Sequence, residues 1–314
     1  MSGSRTVAVL GPIPHDHITT HRGETFEKYG CVIYTVAALS TLLGPDDRVC
    51  PIVHVRRMDE DTIKDILAPF PNVDVTGIRS TSDRGDLVEL SYVDQNKRIE
   101  RQTGFMTPIL PEDVEFALDA DAFVCVPIAD YQVSQATLAF IRQHSNGLIL
   151  LDAHGPTISL TRGGARVHRL WIDRDSWLPN VDVLKMNVEK TSCSWFPSQG
   201  DNDERAIGEP LPTSELRRFA EHCLRHGVQA VCVTLDEQGC VVYFRDFHRR
   251  DAGARRRQGA CRRSCGHHRM WRLLRRRHGI RIPGVPRLRD GVPVWKCGWA
   301  HNGARSPNCG STSP

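Results

Sequence analysis

Thr6-Val7-Ala8-Val9-Leu10-Gly11-Pro12-Ile13-Pro14-His15-Asp16 is the stretch from which the fold is read. Val7–Leu10 is a short apolar run closed by Gly11-Pro12, which predicts a buried strand and a turn, with an acidic side chain just beyond it. Outward from there the pattern alternates. Val32–Leu43 carries small and apolar residues at helical spacing and stops at Gly44-Pro45. Pro51–Val55 reads as a strand and Asp59–Leu67 as an amphipathic helix. Leu87–Tyr92 is β-rich, with Arg98–Phe105 as its hairpin partner across Asp94-Gln95-Asn96. Ala122–Val126, Leu148–Leu151, Val181–Leu184 and Ala230–Thr234 read as further strands, with helices over Ser134–His144 and Ser214–His226. Such alternation implies an α/β fold, a parallel sheet covered by helices, and ligands in such sheets bind beyond the carboxyl ends of the strands. Asp16, Asp152, Asn187, Glu189, Thr234 and Asp236 follow strands and are the first candidates.

The 314 residues suit one large α/β domain or two small ones, and a hydrophobic content of 40% can fill a core. No apolar run reaches the roughly 18 residues of a membrane span, and the N-terminus has too short an apolar stretch for a secretory signal. No membrane partner is expected, and the expected location is cytoplasmic. The eleven Cys show no extracellular framework and read as reduced thiols. The net charge of +4 hides a split: residues 245–314 hold 17 Arg and one Lys against three Asp, a net +15, which leaves −11 on the rest. From His248 onward neither helical nor strand periodicity is sustained. The expected division is therefore a body over residues 1–244 and an Arg-rich tail over 245–314.

The order of features in the body resembles the ribokinase-like (PfkB-type) carbohydrate and nucleoside kinases, over roughly residues 5–244. That family opens with a strand, a Gly and, a few residues on, an Asp that binds sugar hydroxyls; Asp16 matches it, though alone it reads equally well as a turn residue. Next, Tyr29-Gly30-Cys31-Val32-Ile33-Tyr34-Thr35 resembles the family's Gly-Gly followed by Asn and Ala at a helix start. Gly30 matches, Cys31 replaces the second Gly, and Thr35 replaces the Asn. The segments 18–26 and 87–105 would take the place of the family's β lid, which keeps water from the transferring phosphate, though from the sequence alone they read equally well as surface hairpins. Asp182-Val183-Leu184-Lys185-Met186-Asn187-Val188-Glu189-Lys190 resembles the strand and Asn-x-x-Glu motif that organises Mg²⁺ and phosphate. Asn187 matches, Lys190 stands where the Glu belongs, and Glu189 is one position early. Val231–Tyr243 resembles the strand, Thr-x-Gly turn and strand beside the nucleotide, with Thr234 and Gly239 matching and Asp236 in place of a Gly.

The resemblance implies a three-layer ribokinase-like domain with a small β lid, and transfer of the ATP γ-phosphoryl group, with Mg²⁺, to a hydroxyl of a sugar or nucleoside. Asp16, Gly30 and Thr35 would meet the substrate, Asn187, Thr234 and Gly239 the nucleotide, and Glu189 the metal. A homodimer is left open. The family's catalytic Gly-x-Gly-Asp loop, whose amides cradle the phosphoryl group while its Asp takes the hydroxyl proton, is absent from the chain as written, so no catalytic residue is assigned.

Gly266-His267-His268-Arg269-Met270-Trp271-Arg272-Leu273 occupies about the place of that loop. Read one nucleotide later, the single codons of Met270 and Trp271 force a Cys, and Trp271 with Arg272 forces a Gly. The degenerate positions permit the whole string Asp-Thr-Thr-Gly-Cys-Gly-Asp-Ser-Phe-Ala-Ala-Gly, the family's anion hole, base and following helix. A reading-frame shift between about Phe244 and Ala260 accounts for this and for the Arg-rich composition, and it leaves the last part of the fold missing or scrambled. Other readings compete. A nucleic-acid-binding arm would be basic in this way, but no aromatic interleaving or recognised module accompanies it, so a nucleic-acid partner is not expected. Cys261, Cys265, His267 and His268 do not have the spacing of a common zinc module. A non-catalytic sugar- or nucleotide-binding relative is the literal reading of the polypeptide and stays open.

Overall fold

The structure is a computed structural model that describes residues 4–95, 97–196 and 206–244. The tail 245–314, with the shifted-frame loop, zinc set and nucleic-acid arm read from it, lies outside the described residues, as does Asn96 of the hairpin tip.

The strands are β1 (Thr6–Leu10), β2 (His15–Thr19), β3 (Thr25–Tyr29), β4 (Arg48–His54), β5 (Ile78–Arg79), β6 (Leu87–Tyr92) and β7 (Arg98–Gly104). They continue with β8 (Ala122–Cys125), β9 (Leu148–Asp152), β10 (Ile158–Leu160), β11 (Arg166–His168), β12 (Val183–Asn187), β13 (Ala230–Thr234) and β14 (Cys240–Phe244). The α-helices are α1 (Val32–Leu42), α2 (Glu60–Leu67), α3 (Pro111–Val114), α4 (Gln135–His144), α5 (Arg174–Trp177), α6 (Thr191–Ser194) and α7 (Thr213–Arg225).

An eight-stranded sheet in the order β14-β13-β12-β9-β8-β1-β4-β5 forms the middle layer, parallel throughout except for the antiparallel edge strand β14. Its central strands are apolar on both faces, Val7–Leu10 and Ala122–Cys125 being buried without a break, because each face is covered. One face packs Leu10, Phe123, Ile149, Leu184 and Val231 against Leu138 and Ile141 of α4, Trp177 of α5 and the stripe Leu216–Phe219–Ala220–Cys223–Leu224 of α7. Each of the larger of these side chains contributes roughly 1.5–3 kcal/mol on burial. The opposite face packs Val7, Val9, Val49 and Val53 against Val32, Ile33, Val36 and Leu39 of α1 and Ile63 and Leu67 of α2. Among the described residues, α1 and α2 are the α-helices that bring side chains to that second core, to which Leu150, Val183 and Ala230 also belong.

Strand β4 begins at Arg48, three residues before the expected Pro51, and runs through the proline. A proline lacks a donor but keeps extended geometry, and pairing with β1 on one side overrides its punctuating signal.

The lid is a separate four-stranded sheet, β3-β2-β6-β7. Its second half follows the sequence reading, ending at Gly104. Its first half is wider than the expected 18–26: β2 starts at His15, so Asp16 lies inside a lid strand and not in the connection after β1. His-Asp-His-Ile-Thr hides this strand because only its even-numbered residues are buried. Asp16 and Ile18 of β2 share the covered face with Val88 and Leu90 of β6. The ribbon β10–β11 flanks the lid, with a bridge between Arg101 and Ala165.

Candidate functional site

The carboxyl ends of β1, β8, β9, β12 and β13 lie along one edge of the main sheet, and the lid rises from that edge through the short connection Gly11–Pro14. Gly11, at φ 153°, leaves no room for a side chain: a Cβ there would stand 2.8 Å from the Val126 carbonyl oxygen.

Asp16 is 8% exposed, and among the described residues no donor is hydrogen-bonded to its carboxylate. Burial pushes its pKa up to about 6, against the pull of the Lys28, Arg98 and Arg166 charges and with Glu100 adding to the rise. Lys28 is directly across the ladder from it on β3. Gly30 packs behind the carboxylate, where a Cβ would sit 2.9 Å from Asp16 Oδ2. A side chain at residue 30 would therefore crowd the Asp16 carboxylate.

Cys31 has φ 50° and ψ −101°, a backbone conformation that favours glycine. The replaced glycine is thus a strained position, and the thiol points at the Val126 carbonyl at 3.2 Å. Burial, reinforced by Asp152, Asp86 and Asp16, drives the thiol pKa far up and keeps it protonated. Thr35 follows one turn along α1, its amide bonded to the Cys31 carbonyl at 3.3 Å. No contact among the described residues ties Thr35 to Asp16.

A second group gathers at the ends of β12 and β13. Asn187 and Thr234 are register partners. Asn187 accepts from the Glu189 amide at 3.0 Å and donates to Asp236 at 3.1 Å, while the Thr234 hydroxyl donates to the Met186 carbonyl at 3.4 Å. Asp236 and Gly239 take left-handed φ values of 47° and 91° in the turn between β13 and β14. Asp236 is thus a second glycine-like position occupied by another residue.

Further charged side chains stand near these two groups: Asp152, already a candidate from the sequence, with Lys185, Arg166 and Lys190, to which the sequence reading gave no role. Lys185 donates to Asp152 at 2.8 Å. Arg166 of β11 is ion-paired with Glu100 of β7 at 3.2 Å and also meets Gln102 and His154. Burial, with Lys190, Arg166 and Lys185 adding to it, holds the His154 pKa down to about 4, so its imidazole is neutral. Lys190 is 5% exposed and donates to His168 at 2.6 Å; burial lowers the pKa of both. Arg166 and His168 carried a signal, since Gly163-Gly164 between two short runs with β-branched residues is a hairpin pattern. Asp86 carried none. It accepts from Tyr131, Gln102, Gln132 and the Met106 amide, and so fastens the root of the lid to the body.

Mg²⁺ takes oxygen ligands. Here the Asn187 side chain is engaged at both atoms, the Glu189 carboxylate is exposed, and Lys190 occupies the sequence position expected for the Glu. The described residues do not fit a protein-held Mg²⁺.

No family model matches the chain, and no curated protein does. Solved structures do. A pyrophosphate-dependent kinase in the ribokinase family, in a sulfate complex, is similar over 76% of each chain at 19% identity with a TM-score of 0.60. Ribokinase of Arabidopsis thaliana, complexed with ribose and ATP, is similar over 77% of this chain and 75% of that one, at 13% identity and a TM-score of 0.53. Fructokinase of Halothermothrix orenii is similar over 81% and 86%, at 16% identity and a TM-score of 0.52. The chain has a ribokinase-like fold: a helix-covered, mostly parallel sheet with a β lid. Among the described residues no helix is long and apolar enough to cross a membrane.

Proposed function

We propose that this body is built to hold a hydroxyl of a sugar, polyol or nucleoside against the terminal phosphate of a donor, ATP in the first instance. The observation that carries the reading is Asp16: a buried carboxylate without a hydrogen bond among the described residues, on the covered face of the lid, beside a glycine that leaves it room. Two vicinal hydroxyls donating to its two oxygens would supply the missing partners through charge-assisted bonds. Arg98, Arg166 and Lys28 around it keep the carboxylate usable near neutral pH. The lid then excludes water from the hydroxyl, and Asn187, Thr234 and Gly239 at the ends of β12 and β13 line the donor side. Mg²⁺, where used, would arrive on the phosphates of ATP. One structure of this fold, an E. coli protein described as a ribokinase II, is in complex with ATP and Mg²⁺.

The chain as written binds without turning over, because the Gly-x-Gly-Asp loop is absent from its sequence. Without those amides and that base, neither the phosphoryl charge nor the hydroxyl proton has an acceptor. We place the break in the reading frame between about Phe244 and Ala260, with residues 1–244 as the kinase body and 245–314 outside it. The free thiols Cys31, Cys50, Cys125, Cys193, Cys223, Cys232 and Cys240 suit the cytoplasm.

Calorimetry with ribose, fructose, myo-inositol and adenosine tests the reading. The full chain is expected to bind one of them, Asp16→Asn to lose that binding, and neither to release product from ATP. Turnover by the chain as written would refute the lost-engine claim. Binding unaffected by Asp16→Asn would refute the site.

A further inference from the structure

The lid has a second face. On β2, Asp16 and Ile18 point toward the body, so His15 and His17 lie on the outer side. Glu27 of β3 is the direct ladder partner of His17 and therefore shares that side. Glu27 Oε2 lies 2.9 Å from His15 Nε2, and Oε1 lies 3.0 Å from His17 Nδ1. The two imidazoles are stacked at 4.8 Å with 19° between their planes, so both offer an edge nitrogen to the same carboxylate. The three ligand atoms all lie within 4.8 Å of one another.

We propose that this outer lid face binds a divalent transition metal of the Zn²⁺ class through His15 Nε2, His17 Nδ1 and the Glu27 carboxylate, with solvent in the fourth position. Two nitrogens and one carboxylate oxygen are a borderline donor set that selects Zn²⁺, Co²⁺ or Ni²⁺ over Mg²⁺ or Ca²⁺. Bonds of about 2.0–2.2 Å in a tetrahedron need ligand atoms roughly 3.3 Å apart. Small side-chain rotations open the present spacings that far, and His17 and Glu27 are free to make them, with 45% and 59% of their side-chain surface exposed.

A carboxylate that can support His15 stands close behind it. A metal-binding imidazole turns its other nitrogen to a carboxylate or carbonyl. His15 Nδ1 stands 3.6 Å from Asp59 Oδ1, and Asp59 is fixed by Arg56 through bonds of 2.6 and 2.9 Å and by the Tyr29 hydroxyl at 2.9 Å. Without metal, Arg56 Nη2 donates to His15 Nδ1 at 2.8 Å, which leaves the ring proton on Nε2, facing Glu27. With metal, each ring keeps one proton and carries it on the nitrogen turned away from the ion; in His15 that Nδ1 proton must exchange its Arg56 Nη2 partner for the Asp59 carboxylate, a shift of about 1 Å. The ion would cross-link β2 to β3 behind Asp16, stiffening the strand that carries the substrate carboxylate. A rival cluster, Asp175, His222 and His226, has the ligand types but not the charge. Arg174 donates to Asp175 at 2.8 Å and lies 3.2 Å from His222 Nε2, so a cation already fills it.

This inference goes beyond the phosphoryl-transfer reading and needs no sugar. The full chain, stripped with EDTA, is titrated with Zn²⁺ by calorimetry, and with Co²⁺ by visible absorption. We expect one equivalent to be lost, or weakened at least tenfold, in both His17→Ala and Glu27→Gln, together with the d–d bands of bound Co²⁺. Asp16→Asn should keep it, which separates this site from the substrate site. Equal stoichiometry and affinity in parent, His17→Ala and Glu27→Gln would overturn the proposal. So would binding that disappears in Cys261→Ser/Cys265→Ser and persists in His17→Ala.

Discussion

Replacing Asp86 by Asn changes one atom from acceptor to donor at the root of the lid, and the structure fixes what that does. Asp86 Oδ1 accepts from Tyr131 Oη at 2.6 Å, Gln102 Nε2 at 2.7 Å and the Met106 amide at 3.0 Å. Oδ2 accepts from Gln132 Nε2 at 2.5 Å. An Asn can keep its carbonyl oxygen toward the three donors, but its amide nitrogen then faces the Gln132 amide. Gln132 cannot turn over to help, because its own Oε1 accepts from the Ile128 and Ala129 amides at 2.7 and 3.0 Å. Both residues are buried, Asp86 at 3% exposure and Gln132 at 0%. One bond is lost and two buried donors confront each other, which costs about 2–4 kcal/mol.

The same geometry specifies the cure. In Asp86→Asn/Gln132→Glu, the introduced carboxylate accepts from the new amide with one oxygen and from the Ile128 and Ala129 amides with the other. The number of bonds and the net charge of the node are restored. Gln132→Glu alone sets two carboxylates against each other and is destabilising as well. Urea unfolding followed by tryptophan fluorescence reads the four-member cycle. Both single variants are expected to lose about 2–4 kcal/mol and the double variant to recover to within about 1 kcal/mol of the parent. If Asp86→Asn unfolds at the parent midpoint, or the double variant is no better than the singles, the bond assignment at this node is wrong.

Asp16→Asn is expected to raise stability at pH 7 by about 2 kcal/mol, since the raised pKa of about 6 means that ionising this buried carboxylate costs folding energy above that pH. The gain should vanish as pH falls toward 4, and thermal melts at both values check it. Substrate affinity of the parent should fall in calorimetry as pH drops through about 6, where Asp16 is protonated. His154, held neutral with a pKa of about 4, contributes stability that is complete above its unfolded value near 6.5 and is lost as pH falls through 4. His154→Gln should therefore flatten the acid limb of a melting curve. Gly30→Ala leaves the backbone unstrained but must displace the Asp16 carboxylate by about half an ångström; sugar affinity should drop about tenfold with little change in the urea midpoint. Phe219→Ala, at 0% exposure in the stripe of α7, should cost about 3–5 kcal/mol in the same unfolding assay.

The sequence by itself determined the alternation of strands and helices, because runs such as Val7–Leu10 and the stripe of α7 carry their burial in local order. It also placed Asn187 and Thr234 at strand ends, where the structure has them, whereas Asp16, read as following the first strand, lies inside β2. It also showed that no Gly-x-Gly-Asp motif is present, since such a motif is contiguous. Only the tertiary structure decided what surrounds these residues. That Cys31 and Asp236 stand at glycine-type backbone angles follows from how the chain turns there and not from their neighbours in sequence. The pairing of Arg166 with Glu100, the four donors on Asp86 and the meeting of His15 and His17 with Glu27 join positions from different strands and loops. Their chemistry depends on register and sheet order, and a one-residue slip of β2 against β3 would turn Glu27 to the other face. Charge and hydrogen bonding act across space at a few ångströms, whereas periodicity acts along the chain, so the frame was legible in the sequence and the environment of the site was not.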